Sequence, residues 1–351
     1  MTPARAQLAG VPLGAGHPVA VMGVLNVSPE SFHAGSVRLA GDDLLRAALA
    51  MVEAGAALID VGARSTAPYL PTAISEAEER DRLAPAIELL AAKLPVPVSA
   101  DTARPAPARA ALEAGARIIN DVTGLRDPGL AELVAAHGAG VILMASPEPG
   151  AGGAAGGSRP RARARGTPSR DPHSGRSAGP AARTGLEPPA APPAPGSLGT
   201  SGRRSPVAPP RAGPAETVRE LLASALRRAR RAGVPEERIV LDPGIGFFRD
   251  EGVAWPEWDV AVLAGLGALR RLGRPLCVGV SRKSFLGAIT GREATADRLP
   301  GSLAATAVAV LGGVALVRAH DVAEALDAIR VAERIRQARM ARTVKEEGPR
   351  A

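Results

Sequence analysis

Short apolar runs alternate with longer stretches of helical periodicity along most of this chain. The runs are VAVMGVLN, ALIDVGA, VPVSAD, RIIND, GVILMA, IVLD, PLCVGVS and ALVRAH. Valine, isoleucine and leucine dominate them without polar alternation, which is typical of parallel strands buried on both faces. Helical patterns lie between the runs, as at 41–56, where apolar residues recur on one helical face. Repeated strand–helix units of this kind predict an α/β fold with a parallel sheet.

Most of these runs end in polar residues that the interior of a buried strand would not tolerate. These residues are Asn26, Ser65, Thr66, Asp101, Asn120, Asp121, Asp242, Lys283, Arg318 and His320. The remaining run stops at Met144 and Ser146 without a charge. In a (β/α)8 barrel, the carboxyl ends of the strands form the active face. The chain is therefore predicted to be a single-domain (β/α)8 TIM barrel, with its chemistry at that mouth.

The chain has 351 residues, which exceeds the roughly 250 that one such barrel usually needs. Residues 150–214 consist mainly of Pro, Gly, Ala, Ser and Arg, with very few large apolar side chains. Such a segment cannot bury enough apolar surface to offset its ordering entropy. We predict a disordered insert over 150–214, following the fifth strand. The barrel is predicted over 1–149 and 215–340, with its last helix over 322–337 and a polar tail over 341–351.

The basic charge of the chain lies in the predicted insert. That segment holds ten arginines against Asp171 and Glu187, a balance equal to the net charge of +8 for the whole chain. A basic segment can bind RNA through its charge, but this one has no aromatic residue on which bases could stack. We therefore interpret it as a solvated loop and expect no dedicated nucleic-acid site, while weak non-specific RNA binding remains open.

Cellular location is also constrained by composition. The only cysteine, Cys277, lies within an apolar run, so no disulfide can form within the chain and a reducing cytoplasm fits. The apolar stretch near the N-terminus is too short to span a membrane and continues directly into the first strand. We expect a cytoplasmic protein with no signal peptide and no membrane partner.

The acidic and amide residues at the predicted mouth form a first group, Asp101, Asn120 and Asp242. A carboxylate there is costly to bury unless it meets hydrogen-bond donors. Three such groups on three strands suit a flat heterocycle with a guanidine-like edge of N–H donors. Alternatively, individual members cap helices or bind the backbone of loops.

A second, largely cationic group is predicted on the opposite side of the mouth. It comprises Asn26, Ser28, Arg282, Lys283, Arg318 and His320. Arginine binds phosphate oxygens in pairs and lysine binds them as a point charge, so this half suits a phosphate or pyrophosphate. The alternatives are an ion pair of Arg318 with Asp321 or Glu324, and a purely structural role for His320.

Seven short motifs in order along the barrel resemble those of dihydropteroate synthases. They are GVLNVSPESF (23–32), ST (65–66), SADT (99–102), INDV (119–122), LDPG (241–244), GVSRKS (279–284) and RAHD (318–321). The resemblance covers the whole barrel outside the insert. It implies a transferase of folate biosynthesis, which condenses 6-hydroxymethyl-7,8-dihydropterin pyrophosphate with p-aminobenzoate to give 7,8-dihydropteroate and pyrophosphate.

The resemblance also implies roles for individual residues. The pterin would be bound by Thr66, Asp101, Asn120, Asp242 and Lys283, of which Asp101 and Lys283 would be catalytic. The pyrophosphate would be bound by Asn26, Arg318 and His320, and a Mg2+ cofactor by Asn26. Members of this family often form homodimers, so a homodimer is expected here too.

Three loops depart from the family pattern. Phe32 is followed by HAG, with Ala34 where family members carry an acidic residue. The second loop reads ARSTAPY, with Arg64 and Ala67 in place of the family Glu and Arg. The family's Met-His-Met segment after the fifth strand is missing, since Met144 is followed by Ala145 and Ser146. The pterin pocket is thus expected to be intact. A pterin-binding paralogue that uses another arylamine, or that lacks turnover, remains the alternative.

Overall fold

The computed structural model describes residues 4–27, 37–64, 74–146, 213–248 and 253–346. The predicted insert at 150–214 therefore lies outside the described residues, apart from Gly213 and Pro214. The loop positions Ala34, Thr66 and Ala67 lie outside them as well. All the described residues belong to one compact unit.

Eight parallel strands form the centre of this unit, and two further strands precede them. The strands are β1 (Arg5–Leu8), β2 (Val11–Gly14), β3 (Ala20–Asn26), β4 (Leu58–Gly62), β5 (Val98–Asp101), β6 (Ile118–Asp121), β7 (Gly140–Met144), β8 (Ile239–Asp242), β9 (Cys277–Gly279) and β10 (Leu316–Ala319). The spatial order is β8-β7-β6-β5-β4-β3-β10-β9, and a parallel bridge between Leu241 and Leu276 joins β8 to β9. The predicted (β/α)8 barrel is confirmed.

Helices follow the strands and cover the outside of the ring. They are α1 (Val37–Glu53), α2 (Glu76–Lys93), α3 (Pro105–Glu113), α4 (Pro128–Ala136), α5 (Pro214–Arg231), α6 (Trp255–Ala264), α7 (Leu266–Leu269), α8 (Ser284–Thr290), α9 (Leu299–Leu311) and α10 (Val322–Glu346). Several begin at capping residues: the side chain of Ser75 accepts from the amide of Glu78, and that of Asp127 from the amide of Gly129. These contacts satisfy amide groups that a helix start leaves without partners. None of the helices within the described ranges is long and apolar enough to cross a membrane.

The register of the parallel strands brings their polar ends to one level. Asn26 pairs with Gly62, Gly62 with Asp101, and Asp101 with Asn120. Apolar residues earlier on several strands form the floor of the barrel; they include Leu58, Ile118, Val240 and Leu316. Since strand side chains alternate with a period of two, a layer of polar residues lies directly above this apolar floor.

The antiparallel hairpin of β1 and β2 closes the amino-terminal end of the barrel and was not predicted. Leu8 and Leu13 are fully buried against the apolar floor, in the same cluster as Met22 and Cys277. Its turn contains Gly10, with φ of 93°, preceded by Ala9 with φ of 50°. With strands of only four residues, the hairpin gives a weak periodic signal, so packing against the barrel decides its structure.

The carboxyl-terminal half adds helix bounds and one departure from the expectation. Helices α6, α7, α8 and α9 lie between strands β8 and β10, in a region whose helix bounds the sequence analysis did not assign. The last helix, α10, continues to Glu346, which is past the predicted start of the tail at 341. The extra residues, ARTVKE, include the good helix formers Ala, Arg, Lys and Glu, which favour continuation of the helix.

Replacing Leu8 by alanine tests how much the hairpin contributes to barrel stability. Leu8 is fully buried, so Leu8→Ala is expected to lower the free energy of unfolding by about 2–5 kcal/mol, as for other buried leucines. The measurement is urea denaturation followed by circular dichroism. The neighbouring Gln7 is exposed, and Gln7→Ala serves as a control with little expected effect. Equal stability of the two variants would show that the hairpin is dispensable.

Candidate active site

A narrow pocket opens at the carboxyl-terminal mouth of the barrel, where the sequence placed the chemistry. It is lined by Asp101, Asn120, Val122, Met144, Asp242, Ile245, Phe247, Gly279, Lys283 and Arg318. Its volume is about 20 Å³. The fold thus brings together the four predicted pterin-binding residues that the structure describes. Arg318, predicted for the pyrophosphate, lies in the same pocket rather than in a separate one.

Asp101 ends strand β5 and is almost fully buried, with 4% of its surface exposed. Burial raises the pKa of its carboxyl to about 7, opposed by the charge of Arg318 and supported by that of Asp60. The Oδ1 atom is buried and has no hydrogen-bond partner within the described ranges. Asp101 is therefore a carboxylate poised to accept from a donor that enters the pocket.

Arg318 crosses the pocket floor and joins three strands. Its Nε donates to Asp60 Oδ2 at 2.7 Å, and its Nη2 donates to Asp101 Oδ2 at 2.6 Å. The amide of Asn120 donates to the same Asp60 oxygen at 3.0 Å. Burial by itself would lower the pKa of Arg318. The carboxylates of Asp60 and Asp101 outweigh this effect, so the pKa of Arg318 is raised. Arg318 therefore pairs with Asp60 and Asp101 and not with Asp321, which was the alternative.

Asp60 is the site residue that sequence reasoning missed. It lies at the middle of the run ALIDVGA and is fully buried. We had looked for polar residues at the ends of runs, and Asp60 lies two residues before the end of β4. The available signal was the period of two: Asp60 follows the floor residue Leu58 by two positions, as Arg318 follows Leu316.

Asp242 and Lys283 face each other across the pocket. Asp242 Oδ1 accepts from the amide of Gly244 at 2.7 Å, and burial raises the pKa of this carboxyl. Lys283 Nζ lies 4.8 Å from the centre of the Phe247 ring, a cation–π distance. Burial, and then the charge of Arg318, lower the pKa of Lys283 to about 8. At neutral pH Lys283 is therefore mostly protonated, but it loses its proton at a lower pH than an exposed lysine does.

Arg282 does not enter the pocket, although we grouped it with the phosphate-binding cations. Its guanidinium is paired with Asp321 through contacts of 2.8 and 2.5 Å. Its backbone has a φ of 55°, which is uncommon for a residue with a side chain, and its amide donates to Ser302 at 2.8 Å. These contacts fix the turn that carries Lys283, so Arg282 supports the pocket from outside its lining.

The remaining predicted site residues lie at the rim or outside the described residues. Asn26 ends β3 and is exposed. His320 follows β10, is exposed, and its Nδ1 lies 3.0 Å from the Ser281 hydroxyl. Partial burial and the charge of Arg318 lower the pKa of His320, which makes it a neutral hydrogen-bonding group at pH 7. Thr66 belongs to a segment outside the described residues.

Comparisons with known proteins agree with this geometry. The family profile described as pterin binding enzyme matches residues 22–174 and 199–320. The dihydropteroate synthase of Escherichia coli strain K12 is 31% identical over 324 residues, which cover 92% of this chain and 94% of that protein. The chain belongs to the dihydropteroate synthase family of pterin-binding enzymes.

Further relatives and solved structures support the same family. The dihydropteroate synthase of Mycobacterium leprae strain TN is 36% identical over 320 residues, covering 90% of this chain and 92% of that protein. The Xanthomonas albilineans dihydropteroate synthase solved with 4-aminobenzoic acid is 32% identical, with a TM-score of 0.70 and coverage of 95% and 98% of the two chains. The structure of that enzyme with 7,8-dihydropteroate has a TM-score of 0.66 at 31% identity, with coverage of 94% and 98%. The resemblance drawn from the seven motifs is confirmed, and the chain is a transferase of this family.

One departure from the dihydropteroate synthase pattern lies within the described part of the second loop. Arg64, where family members carry Glu, lies 3.1 Å from the Glu79 carboxylate on α2. Glu79 is fully buried, and it also accepts from Thr102 at 2.6 Å and from Arg104 at 2.9 Å. Thr102 directly follows Asp101, so this ion-pair network ties the start of the second loop to the strand that carries the pocket carboxylate.

The Mg2+ site that we expected from the resemblance rests on Asn26. In the part of the chain that the structure describes, no group of three His, Cys, Asp or Glu side chains could hold a metal ion. A Cβ added at Gly62 would lie 3.5 Å from Asn26 Oδ1, so the amide oxygen of Asn26 lies over Gly62 at the mouth of the barrel. Mg2+ commonly takes one or two protein oxygens and completes its shell with water and phosphate. The single exposed oxygen of Asn26 fits only an ion that takes most of its ligands from water and a phosphorylated substrate.

Replacing Asp60 by asparagine tests the charge balance on the pocket floor. Asp60→Asn retains an oxygen acceptor for Arg318 but removes the charge, so we expect a loss of about 1.5–3 kcal/mol in unfolding free energy. The measurement is equilibrium unfolding in urea. Asp327→Asn provides the matched control, because Asp327 pairs with Arg330 on the exposed surface, where such pairs contribute little. Equal stability of the two variants would contradict a structural role for Asp60.

Proposed function

We propose that this chain acts as a dihydropteroate synthase through the pocket at the barrel mouth. A bond forms between the amino nitrogen of p-aminobenzoate and the methylene carbon of the pterin, while the bond from that carbon to pyrophosphate breaks. The observation that carries the proposal is the convergence of Asp101, Asn120, Asp242 and Lys283 on one pocket. Those groups match the hydrogen-bonding edges of a pterin ring.

Each pocket residue supplies one kind of hydrogen bond to the pterin. The carboxylates of Asp101 and Asp242 accept from the ring N–H and amino groups, and Lys283 donates to ring oxygen or nitrogen. Apolar walls made by Val122, Met144, Ile245 and Phe247 exclude water from the flat faces of the ring. The pKa of Asp101 is raised to about 7 by burial. An N–H donor of the pterin would hydrogen-bond to the carboxylate and so favour its ionised form.

The pocket must widen before it can take a pterin. Its volume of about 20 Å³ accommodates roughly one water molecule, which is far less than a bicyclic ring. The two longest side chains in the pocket, Arg318 and Lys283, are the groups that can move. On binding, pterin N–H groups would replace the Arg318 contact with Asp101. Arg318 would then be released to bind the pyrophosphate, the role that the resemblance gives it.

The leaving pyrophosphate requires positive charge beyond the pterin pocket. Arg318 would pair with its oxygens, and His320, which is neutral at pH 7, would add a hydrogen bond at the rim. Asn26 would bind Mg2+ through its amide oxygen, and the ion would neutralise charge on the pyrophosphate. As charge leaves the methylene carbon, positive charge develops on the pterin ring, and the ionised Asp101 stabilises it.

The choice of acceptor depends on loops that lie outside the described residues. The related dihydropteroate synthase of Xanthomonas albilineans was solved with 4-aminobenzoic acid, and this supports p-aminobenzoate as the second substrate. The positions Ala34 and Ala67 depart from the family pattern in those loops. A paralogue that binds pterin but uses another arylamine is therefore the alternative that an experiment must separate. Homodimer formation remains a prediction.

The decisive measurement is pyrophosphate release by the purified full-length chain. Sustained release is expected only when pterin pyrophosphate, p-aminobenzoate and Mg2+ are all present, because the cation that remains when pyrophosphate leaves must be captured by the arylamine before the site can turn over. Reactions that lack one component serve as controls. If pterin pyrophosphate binds and other arylamines turn over while p-aminobenzoate does not, the alternative acceptor is correct. If pterin binds without turnover of any arylamine, the chain is a binding paralogue.

Removing single pocket charges tests the pterin assignment. Lys283→Ala and Asp242→Asn are each expected to weaken binding of a pterin analogue by about 2–4 kcal/mol, as for a lost charge-assisted partner in a buried site. The measurement is isothermal titration calorimetry with the isolated pterin. The exposed pair of Asp327 and Arg330 offers the control Asp327→Asn. Unchanged affinity in both pocket variants would refute the assignment.

A further inference from the structure

Asp259 is a fully buried carboxylate that the proposed mechanism leaves unused. It lies on α6, outside the lining of the pocket, with 0% of its surface exposed. A carboxylate in such a position is costly to bury unless it forms specific hydrogen bonds. One of them is to the loop after β8, where the amide of Gly246 donates to Asp259 Oδ1 at 2.8 Å.

The loop held by this bond forms one wall of the pocket. Ile245 and Phe247, on either side of Gly246, both line it, and the Phe247 ring lies under Lys283 Nζ at 4.8 Å. Gly246 has a φ of 85°, and a Cβ added there would lie 3.2 Å from Lys283 Cδ. The lysine stem therefore packs against backbone that Asp259 holds in place.

A second contact joins the same helix to the same loop. Trp258, next to Asp259 on α6, stacks on Phe248 with ring centroids 5.1 Å apart. Both side chains are almost fully buried. Helix α6 thus holds the loop by an aromatic contact and by a charged hydrogen bond, and only the second of these adds charge near the pocket.

Several charged groups face Lys283 from the surrounding strands and from α6. Burial is the largest influence on its pKa and lowers it, and the Arg318 cation on β10 lowers it further. The carboxylates of Asp242 on β8, Asp259 on α6 and Asp101 on β5 oppose this change, and together these influences give a pKa of about 8. Asp259 stands apart among the three carboxylates because it lies outside the pocket lining, so it can act on Lys283 without itself binding the ligand.

We propose that Asp259 is a positioning residue for Lys283: it fixes the Gly246–Phe247 wall through the Gly246 amide and supplies negative charge to the lysine from behind the pocket. The proposal rests on the proposed function, in which Lys283 binds the pterin. It predicts that removing the charge of Asp259 changes how pterin binding depends on pH, whereas a purely structural Asp259 would change stability alone.

Two uncharged substitutions separate these roles. Asp259→Asn and Asp259→Ser both retain an oxygen that can accept from the Gly246 amide, but neither carries charge. The control is Glu257→Gln, which removes one charge from an exposed position on the same helix. Affinity for an isolated pterin is measured by calorimetry between pH 6 and pH 10 for the wild-type chain and all three variants, and thermal unfolding is recorded in parallel.

In the wild-type chain, pterin affinity should fall as pH rises through the pKa of Lys283 near 8, because the donor cation is lost. In the two Asp259 variants this fall should shift to lower pH by about 0.5–1 unit, as expected when a nearby opposite charge is removed. Ionisation of the pterin itself and of Asp101, whose pKa is about 7, is common to all four proteins and cancels in the comparison. Glu257→Gln should retain the wild-type profile.

The outcomes also distinguish this inference from the proposed function. If the wild-type chain does not bind pterin at any pH, the proposed function fails and the Asp259 proposal fails with it. If the wild type binds and both Asp259 variants retain its pH profile, only the Asp259 proposal is overturned. Failure of both variants to fold would also overturn it, since the carboxylate would then serve the fold and not Lys283.

Discussion

The mutual neutralisation of Arg318 by Asp60 and Asp101 is the interaction on which the barrel mouth depends. Each of these groups alone would be costly to bury, because the interior cannot replace the water around an isolated charge. Together they join strands β10, β4 and β5 through contacts of 2.7 and 2.6 Å. Asn120 on β6 donates to the same Asp60 oxygen, so four strands share one polar layer directly above the apolar floor.

This polar layer is also the part of the protein that must change when a ligand arrives. Asp101 retains one buried oxygen without a partner within the described ranges, and Arg318 lies in the lining of the same pocket. A ligand with N–H donors can replace the arginine at Asp101 without leaving the carboxylate unpaired. The same charges that stabilise the mouth are thus the groups that, in the proposed function, bind the heterocycle and the leaving pyrophosphate.

Support for the pocket comes from outside the strands. Arg282 and Asp321 hold the turn before Lys283 in a backbone conformation that is uncommon for arginine, and Asp259 holds the loop beneath it. Glu79 ties Arg64 to Arg104 and Thr102 beside Asp101. The strands thus carry the groups that face the ligand, whereas helices and turns fix their orientation by buried ion pairs. Such contacts join positions far apart in the chain, so no local sequence pattern predicted them.

The sequence by itself determined the barrel, the strand ends and the family, because buried parallel strands leave continuous apolar runs and because polar residues at their ends have few other places to go. Asp101, Asn120, Asp242 and Lys283 were all found in this way. Only the tertiary structure decided the partners: Arg318 with Asp60, Arg282 with Asp321, and the hairpin under Leu58 and Ile118. The physical reason is that charge pairing and packing depend on distances across the closed ring, which the linear order of residues does not encode.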